Sequence, residues 1–364
     1  MGTRADLASG VRVVLAITLK DSLDTVKDRK LIPVLAGVLL MIALFRLLPA
    51  LREGDTQTLV VVDSGESAVA AQWADSDQFD LHRVPSLQEM EYFLGGEETP
   101  VLGLVLPPDF DQQVQDGAAI TLSGYVDHWV SDSNAEEVGS FFEAQLTTLT
   151  GRPVRIQVHN DTVFTHPRGL QPVTTSFLVA YALVVVGLMV APNLMIEEKE
   201  LKTMDALLIS PASAGQIVIA KALTGLLYCL VAGGLVLVAN AALIVHWGIA
   251  VLAVLCGSLF TVSIGLLLGV ILNSRQQLIL WSAVLMFPLF IPVIASEILP
   301  DIQAPALVQQ LVSLIPTVAV AEAIRWALSG SVPWTEIGIG LAVTIACTVP
   351  LLAAVAWVVR RSDR

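Results

Sequence analysis

Charged side chains are scarce in this chain. Only 15% of its 364 residues are Asp, Glu, Lys or Arg, while 55% are hydrophobic. That balance excludes an ordinary soluble globular protein, whose charged share is about 25%. Cysteine is nearly absent as well, and Cys229, Cys256 and Cys347 all fall inside apolar runs. No disulfide framework is available, and the three read as small buried hydrophobes. Lysine is missing altogether from Leu51 to Gln171, where 20 Asp and Glu stand against 5 Arg. A segment of that sign is solvated and excludes a nucleic-acid surface, which needs the opposite charge. Three motifs are also missing: G-x-x-x-x-G-K-[ST], H-E-x-x-H and G-x-S-x-G. The chain therefore offers no phosphate loop for ATP, no intramembrane zinc-protease signal and no nucleophile elbow. His82, His128, His159, His166 and His246 show no metal-ligand spacing. Neither a metal nor a cofactor is expected, and the chain is not expected to be an enzyme.

What the sequence does contain is a succession of apolar runs, each near the ~20 residues a helix needs to cross a bilayer. Helices of soluble proteins rarely stay apolar on all faces for that long. The first run covers 31–50, with Arg46 near its far end, where a long side chain reaches the interface. Five more follow at about Val173–Ile196, Ile217–Val245, Ile249–Leu272, Leu278–Leu299 and Ile337–Val359, all within 172–359. The stretch Ala306–Leu328 is interrupted by Pro316 and carries Glu322 and Arg325, charges that make a full span costly. It is expected to be an external amphipathic or re-entrant segment within 300–335. Residues 1–30, with Arg12, Lys20, Lys27, Arg29 and Lys30 among apolar positions, predict an amphipathic helix along the inner membrane surface.

The acidic stretch 51–171 alternates in another way. Strands are expected at Thr58–Val62, Phe79–Val84, Val101–Leu106, Ile120–Val126 and Val154–Val158, with helices between them. Pro107–Pro108–Asp109 opens one of those helices, since Pro fits a first turn and Asp favours that end. About 120 residues suffice for a core of their own, so a compact α/β domain is expected between two spans. The predicted fold is a membrane all-α protein of six transmembrane helices with an inserted extracytoplasmic α/β domain.

Orientation follows from Lys and Arg in the short loops. Lys27, Arg29 and Lys30 precede the first span, Lys199 and Lys202 follow the second, and Arg275 follows the fourth. The tail 360–364 holds Arg360, Arg361 and Arg364, whereas the turn His246–Trp247–Gly248 holds neither Lys nor Arg. Six spans with both termini cytoplasmic satisfy all of these, and the α/β domain then lies outside.

The most informative segment is the loop 196–216. Glu197, Glu198, Lys199, Glu200, Lys202 and Asp205 are followed by Leu207, Leu208 and then Pro211. Glu198 stands four residues before Lys202, a spacing that supports a helix, and Pro211 ends it. A short surface helix tied to two spans suits docking into another protein's groove. It is equally the pattern of an ordinary soluble connector.

Here the chain resembles the type-2 ABC exporter permeases, whose E-x-E…T-x-x-x-L-L-x-x-P stretch precedes a span and a Gly-Lys or Ala-Lys pair. The matching residues are Glu198, Glu200, Thr203, Leu207, Leu208, Pro211 and Ala220–Lys221. Lys27–Lys30 resembles the family's elbow helix. The large insert between the first two spans resembles the branch that includes sodium-export permeases. Val101–Phe110 is similar to a step common in that insert. Pro316, Glu322 and Arg325 resemble the external N-P-x-x-x-x-x-E-x-x-R segment, with Ile315 where the family often has Asn.

The resemblance implies a permease subunit in the plasma membrane of a prokaryote, with a separate cytoplasmic ATP-binding subunit. It also implies a second permease half, a copy of this chain or a related one, and a coupling role for the loop helix. Lipid is the remaining partner. A membrane-anchored receptor or scaffold with an extracytoplasmic sensing domain is the alternative. The transported substrate, whether cation, lipid, peptide or drug, is not readable.

Overall fold

The computed structural model describes residues 2–27, 31–50, 57–63, 65, 67–73, 79–94, 101–116, 120–128, 130–160, 170–200 and 214–362. Two helices come first, Gly2–Lys27 and Leu31–Ala50. Five strands follow, β1 (Gln57–Asp63), β2 (Phe79–Val84), β3 (Leu102–Leu106), β4 (Ile120–Tyr125) and β5 (Val154–His159), in one sheet of order β2-β1-β3-β4-β5. β1 runs parallel to β2 and β3, β3 runs antiparallel to β4, and β4 runs parallel to β5.

The alternation of β1 explains how the sheet is covered. Leu59 and Val61 pack on one face with Trp73, Phe110 and Phe142, while Val60 and Val62 pack on the other with Met90 and Leu94. Parallel strands in the middle of a sheet need both faces buried, and each fully buried side chain of this size contributes about 1.5–3 kcal/mol. Trp73 meets Phe110 edge-on at 5.7 Å, and Phe79 meets Phe142 edge-on at 5.5 Å. The longest covering helix, Asp132–Thr150, starts at Ser131, whose hydroxyl accepts from the Asn134 amide. It ends at Gly151, whose φ of 66° is a left-handed cap that Gly adopts without strain.

Among the described residues, five helices are long and apolar enough to cross a membrane. In order they are Leu170–Met189 continuing as Ala191–Glu200, then Ala214–Ala239, Trp247–Ile271, Arg275–Asp301 and Trp334–Ser362. The preceding Leu31–Ala50 helix has a shorter apolar stretch, Ile32–Phe45, so these six are called the first to sixth spans below. The segment expected to be amphipathic or re-entrant forms two helices, Ala306–Ser313 and Pro316–Ala327, that meet at 93°. The bend has a local cause. Ile315 is extended, as the residue before a proline prefers, and Pro316 starts the second helix, where its missing N–H costs nothing.

The second span breaks at Val190, because Pro192 has no amide to give the carbonyl of Leu188. In an apolar slab that carbonyl needs another donor, and the buried Ser282 hydroxyl of the fifth span donates to it at 3.0 Å. The Asn193 side-chain amide donates to the next carbonyl, Met189 O, at 2.5 Å. The break is seated on glycines of the fourth span. A Cβ on Gly265 would overlap the carbonyl oxygen of Gly187, and one on Gly269 would lie 2.7 Å from the Pro192 carbonyl oxygen. Small residues here let two backbones touch.

Candidate functional site

Two polar clusters sit at opposite ends of the spans. At the end where residues 200 and 214 lie, Lys199 leaves the second span and reaches across to the fourth. Its ammonium donates to Val270 O at 2.5 Å and Leu272 O at 2.8 Å, the last carbonyls of that helix. A cation on a helix C-terminus satisfies orphan acceptors and complements the macrodipole. One residue on, Glu200 accepts from Arg275 Nε at 2.9 Å, at the start of the fifth span. The segment that enters the 196–216 loop is thus pinned to the turn between the fourth and fifth spans.

The residues that leave the loop are pinned too. Lys221 and Asp21 of the Gly2–Lys27 helix form an ion pair at 2.8 Å, with side chains only 2% and 8% exposed. Thr18 Oγ1 donates to Ala220 O at 3.3 Å, and the Tyr228 hydroxyl donates to Ser22 O at 2.8 Å.

At the opposite end, Arg325 lies between Glu297 of the fifth span, with which it forms a close ion pair, and Glu322, at 3.8 Å. The bent segment is thereby joined to the fifth span. Its Ala327 carbonyl accepts from the amides of Val245 and His246 at 3.0 and 2.8 Å. The sheet unit touches this end through His128. Nδ1 lies 2.6 Å from Asp127 Oδ1, and Nε2 lies 3.3 Å from the carbonyl of Leu243. Both partners accept only, so both ring nitrogens donate when the ring is an imidazolium. Burial opposes that charge. The hydrogen bond and charge of Asp127, with the Leu243 carbonyl, outweigh it and raise the His128 pKa above its usual 6.5.

Of the loop residues named from the sequence, Glu198 lies in the Ala191–Glu200 helix and Glu200 is placed against Arg275. Thr203, Leu207, Leu208 and Pro211 lie outside the described residues. In the segment expected to be external, Pro316 begins its helix, and Glu322 and Arg325 lie 3.8 Å apart, one turn from each other. The partners Asp21, Arg275, Ser282 and Leu243 were not signalled. Each lies tens of residues or more from its mate, beyond any local periodicity.

These features define a multi-pass membrane protein whose charged span residues, among those described, gather at or near helix ends. Residues 31–357 match the family described as ABC-2 family transporter protein. The chain belongs to that family, whose members are membrane transport components. Membership implies association with an ATP-binding subunit. No curated protein matches this chain.

Proposed function

We propose that this chain is the permease subunit of an ATP-driven exporter, with both termini in the cytoplasm of a prokaryotic cell and the α/β domain outside. The loop 196–216 is the coupling element, in which Glu198, Glu200, Thr203, Leu207, Leu208 and Pro211 dock a separate ATP-binding subunit. The single observation that carries this reading is the family match over residues 31–357, which includes that loop. Two facts support it. The basic residues Lys199 and Arg275 stand at the loop end of the spans, as a cytoplasmic face requires. The acidic sheet unit contacts the opposite end, through His128.

A second permease half, identical or related, completes the pathway. The fifth span leaves Ile279, Leu280, Trp281, Phe287 and Ile291 exposed for that half or for lipid. The large insert is in keeping with the sodium-export branch. The external segment with Pro316, Glu322 and Arg325 closes the outer end.

The test is co-purification from native membranes with an ATPase assay, on the wild type and on Glu198→Ala/Leu207→Asp. A nucleotide-binding subunit that accompanies the wild type, hydrolyses ATP and is lost from the variant supports both the permease and the coupling loop. A folded, abundant wild type that arrives without an ATPase removes the exporter reading.

A further inference from the structure

The family match begins at residue 31, so it says nothing of the Gly2–Lys27 helix. The structure nevertheless ties that helix to the membrane domain through a buried charge pair. Asp21 and Lys221 meet at 2.8 Å, and Lys221 is 1% exposed as a residue. Two buried charges are costly to desolvate, and packed apolar side chains would hold two helices together at least as well. An ion pair here is therefore poorly explained as glue. It does fix register, because a carboxylate and an ammonium accept one relative placement where apolar surfaces slide. Thr18 to Ala220 and Tyr228 to Ser22 fix the same register on either side.

Lys221 also stands just beyond the loop that enters the third span, at the mirror position to Lys199 and Glu200 on the second. Force on the loop therefore has two exits. One runs through Lys199 and Glu200 to the fourth and fifth spans. The other runs through Lys221 to the N-terminal helix.

We propose that Asp21 and Lys221 are positioning residues that make the Gly2–Lys27 helix move as one body with the coupling loop, so that ATP turnover depends on their contact. The proposal rests on the exporter reading above. In it the N-terminal helix is a working part of the coupling apparatus rather than a passive anchor.

The experiment uses the permease with its co-purified ATP-binding subunit in lipid nanodiscs. It reads two quantities separately, the amount of subunit retained per permease and the ATP turnover per assembled complex. Asp21→Asn and Lys221→Gln are expected to retain the subunit at wild-type stoichiometry. Turnover is expected to fall about tenfold, within the span of typical couplings between sites. Exchanging the charges, Asp21→Lys with Lys221→Asp, is expected to restore most of it.

If either single variant fails to accumulate, Asp21→Glu serves instead. It keeps the charge but shifts it by one methylene, so turnover falls while assembly stays normal. Wild-type turnover in the assembled single variants, or in Asp21→Glu, overturns the proposal. So does a loss that tracks only the amount of complex, because that marks a stabilising contact. Failure of the exchanged pair to improve on the single variants overturns it as well. If the wild type captures no ATPase, the exporter reading falls and takes this role with it. Capture with unaffected turnover removes the role alone.

Discussion

Gly265 offers the sharpest test of how the spans are packed. An added Cβ there would overlap the Gly187 carbonyl oxygen, and it would lie 3.0 Å from Pro192 Cδ and 3.1 Å from Ala191 Cβ. All three belong to the second span, and the nearest is backbone, which cannot swing aside as a side chain does. Overpacking of this kind costs about 1–3 kcal/mol. Alanine returns at most about 1 kcal/mol through its better helix propensity. With the full return, Gly265→Ala should lose about 0–2 kcal/mol net, and the overlap with a backbone atom places it at the upper end, about 2 kcal/mol.

Gly234→Ala is the matched control, since its Cβ would meet nothing within 4 Å and only the propensity gain of up to about 1 kcal/mol remains. The assay is reversible unfolding of both purified variants in mixed micelles, followed by helix content. The two substitutions should move stability in opposite directions. Equal stability of Gly265→Ala and Gly234→Ala would refute the close backbone seat of the second span on the fourth.

Two further outcomes follow from particular hydrogen bonds. Ser282→Ala removes the donor to Leu188 O and should cost about 1–3 kcal/mol in the same unfolding assay, the usual penalty of a buried unpaired carbonyl. An unchanged midpoint would mean that the carbonyl finds another donor. His128 gives a pH dependence. Its pKa is raised in the folded protein, so its contribution is complete below the ordinary 6.5 and fades as pH rises through the higher folded value. Melting temperature should fall between about pH 6 and 8 in the wild type more than in His128→Ala, whose profile lacks that component. Parallel profiles would remove His128 as the source.

How much of this was legible in the sequence differs by element. β2 lies at Phe79–Val84, where the pattern of the chain places it. The turn residues Pro107 and Pro108 precede a helix that begins at Phe110. Period-two alternation and proline chemistry are local, so they survive in one dimension. The bent pair was half legible: Pro316 announced an interruption with an extended residue before it, but not the 93° angle between the two helices.

The break in the second span was missed, although Pro192 is plain in the sequence. A helix can carry a proline straight or bent, and Ser282, some ninety positions away, is part of the outcome. The glycines of the fourth span read as ordinary membrane composition. Only the approach of the Gly187 carbonyl singles out Gly265. Thr203, Leu207, Leu208 and Pro211 fall outside the described residues, so the coupling role proposed for them rests on the family resemblance.

The hydrogen bond from Ser282 to Leu188 O also makes wetting part of any large motion. The fifth span cannot withdraw from the second without baring a carbonyl that its own helix does not satisfy. In hydrocarbon such a group costs several kcal/mol, so a dry separation is disfavoured. Water that reaches Leu188 removes that cost. The two spans are therefore easiest to part in a state already hydrated to that depth, and a dry bilayer interior holds them shut.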